Sequence, residues 1–151
     1  MQKINIIAVG TLKEQYLLQA QQEYSKRLQT YCNLRIQECK EPNVDTDKKL
    51  KIEAQEIEKH ITKGCTILLD PNGKQVSSMD ISQIIKQSTF TFDIINFVIG
   101  GSNGIHNNLH TKSNHILSFG SITMPHQLFR IVLLEQIYRA YTIIQGKEYH
   151  K

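Results

Sequence analysis

Two turns in the C-terminal third decide the fold: Ile94-Ile95-Asn96-Phe97-Val98-Ile99-Gly100-Gly101-Ser102-Asn103-Gly104 and, twenty residues on from Val98, Ser118-Phe119-Gly120-Ser121-Ile122-Thr123-Met124-Pro125-His126-Gln127. Each begins where a short apolar run stops, so each reads as a turn leaving the end of a buried strand. Glycine allows positive φ and close approach of backbone to a ligand, and the first turn holds three of them. By itself such a turn is as consistent with a plain strand end as with a ligand site. The second turn ends in Pro125, which suits the first turn of a helix because its missing N–H has no partner to lose there.

The same alternation continues outward. Lys3–Val9 is a β-rich run closed by Gly10, and Leu17, Leu18, Tyr24 and Leu28 mark a helix from about Glu14 to Thr30. A strand over Asn33–Glu38 precedes the break Glu41-Pro42-Asn43. Leu50, Ala54, Ile57 and Ile61 then share one face of a helix over Asp45–Lys63, capped by Asp45 or Thr46. The mixed charges of that helix, Glu53 among them, read as a solvated face. Thr66–Leu69 reads as a strand, Asp70-Pro71-Asn72-Gly73 as a turn, and Ser78 as the cap of a helix ending near Gln87. Strand Asp93–Ile99, a short helix from Ile105 to about Lys112, strand His115–Phe119 and a helix over Pro125–Gln145 complete the chain. This order predicts an α/β domain with a largely parallel sheet, and ligands in such sheets sit beyond the carboxyl ends of strands, here after Leu69, Ile99 and Phe119.

With 151 residues and no linker or repeat, the chain reads as one domain over residues 1–151. Three cysteines, Cys32, Cys39 and Cys65, without C-x-x-C spacing argue against a disulfide framework or thiolate zinc site and for a reducing, cytoplasmic setting. Neither a signal peptide nor a membrane-spanning run is evident. A net charge of +4 and a pI near 8.9 are compatible with a polyanionic partner without demanding one. The closing helix is apolar nearly all round, which predicts burial on more than one side and hence a twofold homodimer.

Several chemistries fail on spacing. Gly73-Lys74 lacks the upstream glycine and the following Ser/Thr of a P-loop, and Gly100, Gly101 and Gly104 miss the G-x-G-x-x-G pattern. His106 and His110 stand four apart without a third ligand, so no metal site is expected. Ser118, Ser121 and Thr123 lack a G-x-S-x-G elbow. His126 suits either a ligand contact or a local cap. Arg130 and Arg139 interrupt the apolar helix and need partners, either a salt bridge such as one to Glu135 across a dimer or an anionic substrate group.

Taken together, Ala8-Val9-Gly10 with Leu12-Lys13-Glu14, Gly73-Lys74, Val98 to Gly104, Thr123-Met124-Pro125-His126-Gln127, Glu135-Gln136-Ile137-Tyr138-Arg139-Ala140 and Tyr149-His150-Lys151 closely resemble the RlmH family of the SPOUT superfamily. The match runs from the first strand to the last residue. The resemblance implies a homodimer whose C-terminal part forms a deep trefoil knot, an exception to the rule against knotted chains. It implies S-adenosylmethionine as cofactor, held by Leu69, Gly100, Phe119, Gly120, Ser121, Ile122, Thr123 and Met124. The reaction implied is methylation of N3 of a pseudouridine in helix 69 of 23S ribosomal RNA, on the assembled ribosome. Arg139, Tyr149 and His150 match the family's RNA-facing and catalytic positions: Arg139 for phosphate or base contact, Tyr149 for stacking, His150 for base or orientation work. Three positions depart from the common pattern, Thr11 for lysine, Gly120 for serine and Met124 for leucine or phenylalanine. An RNA-binding module without catalysis and a small-molecule methyltransferase of similar fold are the competing expectations.

Overall fold

A computed structural model describes residues 1–151. Five strands and five helices alternate: β1 (Gln2–Val9), α1 (Gln15–Leu28), β2 (Cys32–Cys39), α2 (Thr46–His60), β3 (Cys65–Gln75), α3 (Ser78–Thr89), β4 (Ile94–Ile99), α4 (Asn107–His110), β5 (His115–Ser118) and α5 (His126–Ile144). The strands form one sheet in the order β2-β1-β4-β3-β5, and every pairing is parallel. No helix is long and apolar enough to cross a membrane.

A parallel sheet covered on both faces needs strands that are apolar on both faces, which is why β1, β3 and β4 lack strict alternation. Successive side chains still divide between two cores. Ile4, Ile6 and Ala8, with Ile67, Leu69, Ile95, Phe97 and Ile99, face α1, α3 and α5 in the larger core, where Leu28, Ile85, Leu133 and Ile137 meet them. Ile7, Val9, Leu68 and Val98 face Ala54, Ile57 and Leu109 in the smaller core under α2 and α4. Polar Asn5 and Asn96 are buried within this sheet because they satisfy each other. The Asn5 amide donates to Asn96 Oδ1 at 3.0 Å and accepts from Gln37 at 3.0 Å, and Asn96 donates to the Thr62 carbonyl at 2.7 Å. The ladder ties the end of α2 to the sheet.

The expected turn at Asp70–Gly73 lies inside β3. Leu69 and Lys74 both pair with Leu117, so residues 70–73 loop out as an enlarged bulge before the strand resumes. The turn chemistry is still realised locally, since the Asn72 N–H donates to Asp70 Oδ1 at 2.9 Å. Gly73 is needed because a Cβ there would lie 2.7 Å from the Ile116 carbonyl. The cap of α3 is Ser77 rather than Ser78, in a reciprocal capping box with Asp80. Helix α4 is a single turn, capped by His106, whose Nδ1 accepts from the Asn108 N–H. Pro125 is the N-cap of α5, not its first helical residue. Asp45 is the N-cap of α2 but makes no side-chain cap bond.

One sequence reading is overturned in α2. Glu53 is not on the solvated face; it is 2 % exposed. Its position three residues after Leu50 and four before Ile57 places it on the same inward stripe.

Candidate functional site

Register alone brings three strand ends together, since Leu69 pairs with Ile99 on one side and Leu117 on the other. Beyond them opens a cavity of about 520 Å³, within the usual range for small-molecule sites. Leu69, Gly100, Phe119, Gly120, Ser121, Ile122, Thr123 and Met124 all lie on its wall. So do Asp70, Ser102, Ile105 and Phe129, which the sequence did not single out as cofactor positions, and His126, which it read as a ligand contact or a local cap.

The two turns build this wall differently. In the first, Gly100 has no room for a side chain: a Cβ would lie 2.5 Å from the Gly104 carbonyl oxygen and 2.7 Å from Ile105. Only Gly104 uses positive φ, at 86°, and its N–H closes the turn on the Gly101 carbonyl at 3.1 Å. In the second, Gly120 sits at φ 117° with open space around it, and its N–H donates to Ser118 Oγ at 3.2 Å. The Phe119 and Phe129 rings pack at 5.1 Å between loop and helix. Ile122 stands out of the loop, 81 % exposed.

The wall contains no lysine or arginine; Asp70 and His126 are its only titratable residues. Asp70 Oδ2 contacts His110 Nε2 at 2.8 Å, which fixes the β3 bulge to α4. No group of three or more His, Cys, Asp or Glu side chains is placed to hold a metal ion. The ring of His126 stands against Gly10, where a Cβ would lie 3.0 Å from its Nε2. Its place is therefore the cavity rim, not a helix cap.

Two buried charges support the wall from behind. Arg130, 1 % exposed, donates to Glu38 Oε2 at 2.7 Å and to the Gly10 carbonyl at 3.0 Å. Glu38 also accepts from the Leu12 N–H at 3.3 Å, so the pair braces the β1–α1 loop against α5. Arg130 thus has a salt bridge, with Glu38 rather than Glu135. Glu53 presents both carboxylate oxygens to the back of Gly101, without a hydrogen-bond partner for either.

Arg139, Tyr149 and His150 come together at the far end of α5, organised by Glu135. Glu135 Oε1 accepts from Arg139 Nε at 3.0 Å and Nη2 at 2.7 Å, and from the Tyr149 hydroxyl at 3.2 Å. The guanidinium lies 4.8 Å from the Tyr149 ring centroid, and Nη1 is 3.2 Å from His150 Nδ1. A guanidinium only donates, so His150 Nδ1 accepts, and in the neutral ring Nε2 carries the proton. Burial and the Glu135 charge hold the Tyr149 phenol above its ordinary range, so it remains a donor. Within the chain the cluster and the cavity are apart: ten residues of α5 separate Phe129 from Arg139, about 15 Å at 1.5 Å per residue.

Comparison with known proteins agrees with this architecture. The family model described as "Predicted SPOUT methyltransferase" matches residues 2–150. A Caldicellulosiruptor saccharolyticus protein named ribosomal RNA large subunit methyltransferase H is 42 % identical over 153 residues, covering 98 % of this chain and 99 % of the relative. The Clostridium tetani protein of the same name is 45 % identical over 157 residues with the same coverage. Among solved structures, a probable methylase family protein from Haemophilus influenzae Rd KW20 shares the fold, with a TM-score of 0.55 at 11 % identity over 99 % of this chain and 71 % of that one. On the family match and on full-length identity above 40 %, the chain belongs to the SPOUT methyltransferases, alongside the ribosomal RNA large subunit methyltransferases H.

Proposed function

We propose that this chain methylates N3 of a pseudouridine in helix 69 of 23S ribosomal RNA on the assembled ribosome, with S-adenosylmethionine as methyl donor. It would do so in the cytoplasm as a homodimer of single-domain protomers, with the trefoil-knotted threading of its family. The observation that carries the cofactor assignment is the cavity wall. A nucleotide polyphosphate calls for cations and a phosphate cradle, whereas this wall has neither lysine nor arginine, one Asp, and a turn whose glycine positions leave backbone against the ligand. That surface suits an adenosine carrying a sulfonium rather than phosphates. The relatives' name supplies the RNA substrate class.

When bound, S-adenosylmethionine supplies a methyl group already activated on sulfur. The strand-end turns and the Phe119–Phe129 pair fix the ligand and exclude water, leaving alignment of the accepting nitrogen as the main task. The Arg139 cluster has the polarity for the other half. Arg139 and the Nε2–H of His150 favour an imide that has lost its N3 proton by stabilising negative charge on its carbonyl oxygens, and Tyr149 offers a ring for stacking. With Nδ1 held by Arg139, His150 is an orienting donor rather than the proton acceptor; the N3 proton passes to solvent.

The separation of cavity and cluster along α5 supports a shared site. The outward stripe Leu128, Val132, Glu135 and Arg139 is apolar at the cavity end and charged at the tail end. Leu128 is 41 % exposed in the single chain. Two copies of α5 packed antiparallel about a twofold axis would cover it and carry each tail to the partner's cavity.

The test is methyl transfer from labelled S-adenosylmethionine to 50S subunits and ribosomes lacking this methyl group, beside naked ribosomal RNA and free pseudouridine. Label confined to helix 69 of ribosomal particles is expected. Transfer to the free nucleoside alone would favour a small-molecule methyltransferase, and cofactor-independent RNA binding with no transfer would favour a binding module.

A further inference from the structure

We propose that Glu53 is a charge-selecting residue of the cofactor site: its carboxylate, seated behind Gly101, favours a cationic sulfonium ligand over the neutral thioether that remains once the methyl group has left. The inference rests on the reading of the cavity as an S-adenosylmethionine site and goes beyond it by assigning a role to a residue outside the wall.

The geometry is specific. Gly101 lines the cavity with its backbone, and a Cβ there would lie 3.1 and 3.2 Å from the two Glu53 oxygens and 3.2 Å from Val9. The barrier between carboxylate and ligand is thus one glycine thick. Glu53 is 2 % exposed and neither oxygen has a hydrogen-bond partner, so its charge is screened little by water. The groups around it do not cancel that charge. Lys49, one turn earlier on α2, is the nearby cation, but its ammonium is already held by Glu41 at 2.8 Å. Glu41 in turn accepts from Ser102 Oγ at 3.3 Å, on the same turn as Gly101, and adds a second negative charge to the region. From β2, Cys39 presents a thiol that burial pushes up to about 11 and that stays neutral. Burial raises the Glu53 carboxyl and Lys49 opposes the rise.

The donor and its demethylated product share the adenosine, the amino group and the carboxylate. They differ in the methyl group and the permanent positive charge that leaves with it. The ratio of their affinities therefore isolates any charge effect, and a carboxylate one glycine away tilts that ratio toward the donor and eases loss of the product.

The test is calorimetric titration of S-adenosylmethionine and S-adenosylhomocysteine into the native protein and E53Q. In E53Q the preference for the sulfonium is expected to fall about tenfold, through weaker donor binding at nearly unchanged product binding, with no loss of thermal stability. Native preference should grow as pH rises through the raised titration of the Glu53 carboxyl, and that of E53Q should not. Equal weakening of both ligands in E53Q, an unchanged ratio or a native preference independent of pH overturns the assignment to Glu53 while leaving the cofactor site standing. Binding of neither ligand to the native protein overturns the cofactor reading and this inference together.

Discussion

Arg130 and Glu38 show at single-residue scale how the cavity rim is held. The guanidinium is enclosed while Glu38 keeps part of its side chain in water, so removing either partner has unequal consequences. E38A leaves a buried charge uncompensated and is expected to cost about 3 kcal/mol, whereas R130M removes the charge itself and is expected to cost about 1–2 kcal/mol. Urea unfolding at constant slope checks the order, and equal losses would contradict it. Glu53 behaves oppositely. Its carboxyl is raised in the folded state, so between the unfolded and folded pKa values the native chain binds more protons, and stability falls as pH rises through that window. E53Q is therefore expected to be more stable than the native protein at neutral pH, by about 1 kcal/mol, and equal to it in acid. A lower Tm for E53Q at pH 7 would contradict this. Glu53 also shows what the sequence hid. A carboxylate in a run of mixed charges reads as solvated by composition, and only its spacing from Leu50 and Ile57 points inward. Arg130 was recognisable as needing a partner, but Glu38 lies on a strand 92 residues away, a pairing that only the fold creates.

At the scale of elements, the strand-end turns were the most legible part of the chain, because glycine after an apolar run has few other uses. Their detail was not. Gly100 answers a close approach from Gly104 rather than a positive φ, and that depends on how the turn folds back. The Asp70–Gly73 turn became a bulge within β3 because Lys74 and Gln75 pair again with β5, which local residue chemistry does not encode. Gly10 combines both demands, with φ 95° and His126 across from it. G10A is expected to cost about 2 kcal/mol and to weaken cofactor binding through displacement of His126; unchanged thermal melting and affinity would refute that. At the other end of α5, Glu135 holds Arg139 and Tyr149 at once. E135Q is expected to lower methyl transfer at least tenfold with cofactor affinity retained, because it frees the tail without touching the cavity. Full activity would remove the tail geometry from the mechanism, as would full transfer by H150A.

At the scale of the whole molecule, the α/β class and parallel sheet followed from the order of elements, since strands alternating with helices leave few other arrangements. The distance between cavity and tail did not follow, because neither periodicity nor spacing says that two ends of one helix act on the same substrate. The proposed antiparallel pair of α5 helices would resolve the separation and make the site the joint property of two chains. Mixing two inactive variants measures this directly. G100A damages the cavity and R139A damages the tail, so each homodimer is expected to be inactive on 50S subunits. Co-expressed in equal amounts, half of the dimers are mixed, and each mixed dimer joins one intact cavity to one intact tail. The account predicts recovery of about one quarter of native methyl transfer to helix 69. No recovery from mixed dimers that bind S-adenosylmethionine would contradict it.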